Sequence, residues 1–483
     1  MNIQTTVPEN GQRAHDGLAM VIGGKLRQIN NSFDVLDPAT GQAFASAPEA
    51  SQQDLDDAVA AAEAAFPAWA AMPWSDRRAL VLKFCDAVAA EADDIGALVA
   101  QEAGKPLAKG IGETNGGLFF VRGFANLELK SEVLRDTDNQ YVRVEKRPIG
   151  VVGAITAWNY PALLALWKIG PALLTGNTLI LKPAPSTPLT ALRLGKIAKN
   201  IFPAGVINVL TGGDDLGRWM TAHDRIGKIA FTGSVDTGKA IMANAAPTLK
   251  RLTLELGGND AAIIMPDFDI NTQAEELFWA GFANNGQVCA CMKRAYVPSE
   301  LYEALCSRLA AIAANVKMGP WNEPDVELGP LQNRQQLDIV TELVEDAISR
   351  GANAFFKGDV PQSPGFYHPV TLFRDVPDEA RIVREEQFGP ALAFLKYHDL
   401  QDAITRANDT LYGLAGSVWG RNIDAATAVA VRLQAGNVFV NQHPSMGPEI
   451  PYGGIRQSGL GVECGVQGLS EYTNTVVVNI KKD

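Results

Sequence analysis

The sequence predicts an α/β protein built as two three-layer α/β lobes with a small β arm. Three observations carry this. From Ile149 onwards, short apolar runs rich in β-branched residues alternate with helix-length amphipathic stretches, the pattern of layers around a mostly parallel sheet. The alternation starts again at Ala261 and runs to about Val440, and 483 residues exceed a single compact core. Two extended stretches, Glu128 to Val144 and Thr473 to Ile480, fit neither series.

In chain order, Met1 to Gly17 is polar, contains Glu9 and Asp16, and lacks the charged-then-apolar layout of a secretory signal. It reads as a short flexible arm of a cytoplasmic protein. Asp54 to Ala71 and Arg77 to Glu102 are Ala-rich helices, the second stopped by Gly104, Lys105 and Pro106. Strands follow at Ile149 to Ile155, Thr178 to Leu181, Val206 to Leu210, Ile226 to Phe231 and Leu252 to Leu256. Between them lie helices at Leu163 to Leu174, Pro188 to Asn200 and Thr237 to Ala246. The second series includes helices at Ile270 to Asn284, Glu300 to Asn315 and Gln335 to Arg350. Ligands of such folds sit beyond strand ends and between lobes. An exposed apolar strand such as Thr473 to Ile480 needs a partner edge. Pattern alone leaves open whether that edge belongs to another subunit or to an internal hairpin.

Composition excludes several classes. Hydrophobic residues make up 47% and charged ones 20%, an ordinary globular balance. A net charge of -12 disfavours nucleic acid and anionic membranes, and no apolar run is long enough for a membrane span. The five cysteines, Cys85, Cys289, Cys291, Cys306 and Cys464, are too sparse for a disulfide framework. The five histidines are scattered, and Cys289-Ala290-Cys291 has no second half, so no metal site is expected.

Chemistry concentrates at a few positions. Asn284-Asn285-Gly286-Gln287-Val288-Cys289 puts a thiol on a short turn, near N–H groups that favour its anion. A buried inert cysteine is the bland reading. Glu255 stands inside an apolar strand before Leu256-Gly257-Gly258. Burial would raise its pKa and suit a general base, unless an unseen cation pairs with it. Asn159, in Trp158-Asn159-Tyr160-Pro161 at a strand end, could donate to an oxyanion beside the Cys289 N–H, or simply form a turn. Phe231-Thr232-Gly233-Ser234 precedes a helix, where N–H groups attract phosphate. No strand-associated G-x-G-x-x-G is present.

Together with Lys182-Pro183, Glu386-x-Phe388-Gly389-Pro390 and Pro451-Tyr452-Gly453-Gly454, these motifs occur in an order that resembles the aldehyde dehydrogenase superfamily over roughly Ala19 to Val478. The resemblance implies a Rossmann-like NAD(P)-binding domain over residues 1–127 and 150–252 and a catalytic domain over 253–450. It also implies an oligomerisation arm from 128–149 and 470–483, with 451–469 connecting. It implies Cys289 as nucleophile, Glu255 as the base that activates water, and Asn159 in the oxyanion hole, with a thioester intermediate. For the cofactor it implies Trp158, Lys182, Gly213, Gly217, Gly233, Ser234, Leu256, Glu386 and Phe388. For the substrate pocket it implies Tyr160, Leu164, Trp167, Trp279, Val288, Ala290, Met446 and Tyr452. A homodimer or homotetramer follows from the same resemblance.

Two positions depart from the family. Ala157 replaces a Pro before Trp158-Asn159. Pro185 stands where NAD-preferring members carry a Glu that grips the adenosine ribose, so NAD is expected and NADP is admitted. The pocket positions carry no Arg or Lys, which favours an apolar or aromatic aldehyde of medium size over a dianionic semialdehyde. A CoA-acylating semialdehyde dehydrogenase and a non-catalytic member of the fold are the alternatives. Cys291 is either ordinary packing or a redox partner that traps Cys289.

Overall fold

The computed structural model describes residues 18–482, so the arm expected at Met1 to Gly17 lies outside the described residues. Two large sheets organise the chain. The first has eight strands, in spatial order Gly459–Leu460, Arg251–Glu255, Lys228–Thr232, Val151–Ile155, Thr178–Lys182, Ile207–Val209, Met20–Ile22 and Lys25–Arg27. Its five central strands run parallel, and four of them, Lys228–Thr232, Val151–Ile155, Thr178–Lys182 and Ile207–Val209, are buried at every residue. That is why they read as uninterrupted apolar runs. Parallel pairing also levels their ends. Ile155 lies opposite Lys182, Phe231 opposite Ile155, and Thr232 opposite Glu255. The loops that follow these residues therefore emerge along one edge of the sheet.

The second sheet has seven strands: Asn353–Lys357, Thr371–Arg374, Ala391–Tyr397, Met292–Pro298, Asp260–Ile264, Ala415–Trp419 and Asn437–Val440. All its pairings are parallel except the first. The two extended stretches form a third sheet. Thr473–Lys481 pairs antiparallel with Gln140–Pro148 over nine residues, and Glu132–Asp136 is added outside. That outer strand is exposed along its whole length, including Val133 and Leu134.

Three helical expectations change. The single helix expected from Arg77 to Glu102 is two helices, Trp74–Ala89 and Ala92–Ala103, parted at Ala90 and Glu91 without a Gly or Pro. The break lets Ala92–Ala103 lie against Leu107–Phe124, where a Cβ on Gly110 would come within 2.2 Å of the Gly96 carbonyl oxygen. Leu107–Phe124 itself was not expected. Gly110, Gly112, Gly116, Gly117 and Gly123 depress its helical signal, and close packing compensates. The helix expected to reach Asn284 stops at Phe282 because Asn284, Asn285 and Gly286 take positive φ of 49°, 60° and 74°.

Asn177 ties the arm to the first sheet. Its Oδ1 accepts from the N–H groups of Ile149 (2.7 Å) and Gly150 (3.0 Å), and its Nδ2 donates to the Tyr472 carbonyl (2.8 Å) and Thr175 Oγ1 (2.8 Å). The side chain is fully buried, so its removal leaves several buried polar groups unsatisfied. Asn177→Ala is expected to lower stability by about 2–4 kcal/mol, measured as a reduced urea midpoint.

Candidate active site

The site is built around a short crossover. The chain leaves the first sheet at Glu255 and enters the second at Asp260, through residues 256–259 only. Gly257 and Gly258 are required by close approach. A Cβ on Gly257 would lie 2.0 Å from Glu386 Oε2, and one on Gly258 would lie 2.7 Å from the Cys289 carbonyl oxygen. Glu386 Oε1 accepts the Gly258 N–H at 3.0 Å. Glu255, Glu386 and Cys289 thus gather on one stretch of backbone.

Glu255 is 4% exposed, and neither carboxylate oxygen has a hydrogen-bond partner among the described residues. Burial holds its carboxyl well above the usual range, reinforced by Glu463 and opposed by Lys168. Lys168 and Glu463 form their own fully buried ion pair. Burial likewise pushes Glu386 up to about 7, against the pull of Lys293.

Cys289 follows the left-handed turn 284–286. A Cβ on Gly286 would be 2.3 Å from the Gly389 carbonyl oxygen, so this turn packs against the Phe388-Gly389-Pro390 segment. The half-buried Cys289 has its Sγ 4.0 Å from the Tyr452 hydroxyl. Burial raises the thiol to about 12, with Lys293 acting in the opposite direction. The buried Cys291 directs its Sγ to the carbonyls of Ala280 (3.1 Å) and Gly281 (3.0 Å).

Asn159 is buried on the loop after Val151–Ile155, and its Nδ2 donates to the Gln287 carbonyl at 3.0 Å. This bond ties Asn159 to the segment two residues before Cys289. Lys105 and Glu113 hold the loop in place. Lys105 Nζ donates to the Asn159 carbonyl at 2.7 Å, pairs with Glu113 and lies 4.1 Å from the Tyr160 ring centroid. Glu113 Oε1 accepts the N–H groups of Ala162 (2.8 Å) and Leu163 (3.2 Å). Sequence reading took Lys105 only as part of a helix stop and passed over Glu113, Lys168, Glu463 and Lys293. The available signal was an ionisable residue inside an apolar helix, as in Leu166-Trp167-Lys168-Ile169.

Several of the residues expected at the cofactor lie along the edge of the first sheet. Lys182 is 4% exposed, and its Nζ has only the Pro183 carbonyl, at 3.4 Å, for a partner among the described residues. Burial lowers its pKa to about 8. Gly217 lies beside it, with a Cβ position 3.8 Å from Lys182 Cε, in the helix Asp214–Ala222 that Gly213 caps. Ser234 caps Val235–Ala245, and the Gly233 N–H donates to the Glu255 carbonyl at 3.0 Å. Leu256 packs on Gly238 of that helix. Trp158 and Phe388 meet edge to face at 5.3 Å.

Among the expected pocket residues, Trp167 touches Tyr452 with ring centroids 6.1 Å apart. Both share one apolar cluster with Ala290, and Cys289 and Met446 pack against it. Leu164 is buried, while Tyr160 and Val288 are half-buried. Trp279 stands against a different cluster, beside Phe278.

The family model described as the aldehyde dehydrogenase family matches residues 26–478. Phenylacetaldehyde dehydrogenase of Pseudomonas fluorescens is 35% identical over 484 residues, 96% of each chain. Betaine aldehyde dehydrogenase of Staphylococcus aureus, solved with NAD+, superposes with a TM-score of 0.93 at 30% identity, over 96% of this chain and 95% of that one. A solved E. coli NADP-dependent enzyme also reaches 0.93, at 33% identity over 96% and 98%. Fold and similarity together define an NAD(P)-dependent oxidoreductase acting on the aldehyde group. The chain belongs to the aldehyde dehydrogenase family.

Because Lys105 and Glu113 are both buried, neutralising one strands the other's charge. Glu113→Gln is expected to cost about 3–5 kcal/mol, read as a lower thermal midpoint with reduced activity in the protein that remains folded.

Proposed function

We propose that this enzyme oxidises an apolar or aromatic aldehyde of medium size to its carboxylate through a thioester on Cys289, using NAD, with NADP as the alternative. The observation that carries this is a buried unpartnered carboxylate at Glu255 next to the crossover that packs on Cys289, with the Asn159 amide bonded to the Cys289 segment. The aromatic walls Trp167 and Tyr452 beside Cys289 support the substrate class, as does the likeness to a phenylacetaldehyde dehydrogenase.

In this reading the Cys289 thiolate adds to the aldehyde carbon. The resulting oxyanion lies between the Asn159 Nδ2–H and the Cys289 N–H. A nicotinamide, when bound, supplies the hydride acceptor. Lys182, with Gly213 and Gly217, would hold the adenosine end, and Gly233 and Ser234 the pyrophosphate. Trp158 and Leu256 would line the cofactor, while Glu386 and Phe388 would hold the nicotinamide riboside. The acyl group then remains on Cys289 as a thioester, which Glu255 resolves by taking a proton from an attacking water. An unpartnered base favours water over CoA as acceptor and argues against a purely structural role. The domain limits and the cytoplasmic setting are proposed as the sequence implies them. Assembly as a homodimer or homotetramer through the exposed strand Glu132–Asp136 belongs to the same proposal.

Aldehyde-dependent absorbance of reduced cofactor tests the reading. Cys289→Ala is expected to abolish it. Glu255→Gln is expected to keep a first-turnover burst while steady-state turnover falls about a hundredfold or more. Since the carboxyl is raised, steady-state hydrolysis in the wild type should increase as pH rises and Glu255 ionises. A Glu255→Gln variant with unchanged turnover sinks the assigned base. Pro185 is exposed in the turn after Lys182, so it can be replaced with little strain. Pro185→Glu is expected to lower kcat/KM for NADP relative to NAD by about tenfold through repulsion of the 2′-phosphate, measured with both cofactors in parallel.

A further inference from the structure

Lys293 lies four residues after Cys289, is 1% exposed, and has no part in the reaction as set out above. An ammonium has three protons to donate, and this one spends them on the nucleophile loop. Lys293 Nζ donates to the carbonyls of Val288 (2.7 Å), Cys289 (3.0 Å) and Cys291 (3.3 Å). Its one ion-pair partner among the described residues is Glu386 Oε1, at 3.7 Å, beyond hydrogen-bond distance. A buried ammonium held by neutral carbonyls keeps its charge available to a nearby anion.

The carbonyls also fix the direction of the loop's N–H groups. In a trans peptide the C=O of one residue and the N–H of the next point in opposite directions. Turning the Val288 carbonyl toward Lys293 therefore turns the Cys289 N–H away from it. That N–H meets no protein acceptor among the described residues.

We infer that Lys293 is a positioning residue for the oxidation, orienting the Cys289 N–H toward the reacting oxygen and stabilising the Cys289 thiolate by its charge. This rests on Cys289 being the nucleophile. The ionisable groups that act on the thiol come from several elements. Glu386 precedes the Phe388 turn, Glu255 ends its strand, Asp260 begins the next strand, and Tyr452 lies 4.0 Å away through its neutral hydroxyl. The three carboxyl groups act with burial to raise the thiol, and Lys293 is the foremost group opposing them. Sequence position alone makes Lys293 look like a solvated charge, whereas the structure places it beneath the nucleophile.

The test is the rate of Cys289 alkylation by iodoacetamide across neutral and alkaline pH, followed by mass spectrometry of the Cys289 peptide in the full chain. Lys293→Met is expected to slow alkylation about tenfold at a fixed neutral pH and move the profile up by about one pH unit. It should also lower kcat about tenfold with the aldehyde KM little changed. Lys293→Arg keeps the charge and is expected to recover most of the alkylation rate. If Lys293→Met fails to fold, Lys293→Gln asks the same question with a neutral donor. A folded neutral variant whose alkylation profile overlays the wild type overturns the inference. Wild-type enzyme that still oxidises aldehyde after complete alkylation of Cys289 would instead overturn the nucleophile assignment, a separate result from the Lys293 profile.

Discussion

The structure turns on how closely two sheets can be joined. Residues 256–259 carry the chain from the edge of the first sheet into the second. Every chemical group of the proposed reaction is placed relative to that link. Leu256 N–H donates to the Ser458 carbonyl at 2.9 Å, which fastens the closing motif to the link. Gly257 admits the Glu386 carboxylate, and Gly258 admits the Cys289 carbonyl. A side chain at Gly257 would displace Glu386, and one at Gly258 would displace the Cys289 backbone. Parallel pairing supplies the remaining geometry, since strands with level ends deliver Asn159, Lys182, Gly233 and Leu256 to one edge.

That closeness buries much of the site, and burial governs its electrostatics. Burial pushes Glu255, Glu386 and Cys289 toward their neutral forms. Reactive charges then depend on placed partners, because burial penalises the charged forms. The chain places such partners in three ways. Lys105 with Glu113 forms a complete pair that fixes the Asn159 loop. Lys168 with Glu463 forms another pair, which acts on Glu255 from both of its charges. Lys293 is left with carbonyls and a distant carboxylate. The first two arrangements hold structure, and the third leaves a charge for chemistry.

Much of this was legible in the sequence where local pattern and tertiary role coincide. Buried parallel strands are apolar throughout, so their positions and the motifs at their ends could be read directly. Glu255 stood out because a carboxylate interrupts such a run. Legibility failed where packing overrules local signal. Leu107–Phe124 is helical despite five glycines, three of which, Gly110, Gly117 and Gly123, are closely approached by neighbouring segments, and the break at Ala90 and Glu91 has no local marker. The supporting charges failed for another reason. Lys105, Glu113 and Lys293 are ordinary surface types in composition, and only the fold shows that water cannot reach them.

The proposal of water rather than a thiol as final acceptor rests on the same physics. A thiol acceptor could arrive as its own nucleophile and would need no buried base. Water needs one, and the base must neither be neutralised by a close cation nor exposed to bulk solvent. Glu255 meets both conditions: its oxygens are unpartnered among the described residues, and Lys168, the nearby cation, is already engaged by Glu463. A second carboxylate beside that lysine keeps Glu255 from being fixed as a permanent anion, because Glu463 raises it while Lys168 lowers it. In the proposed reaction this balance would let the group take a proton from water during hydrolysis and release it before the next turnover. The buried Lys168–Glu463 pair is thus tied to the hydrolytic form of the reaction, although neither residue touches the aldehyde in the proposed scheme.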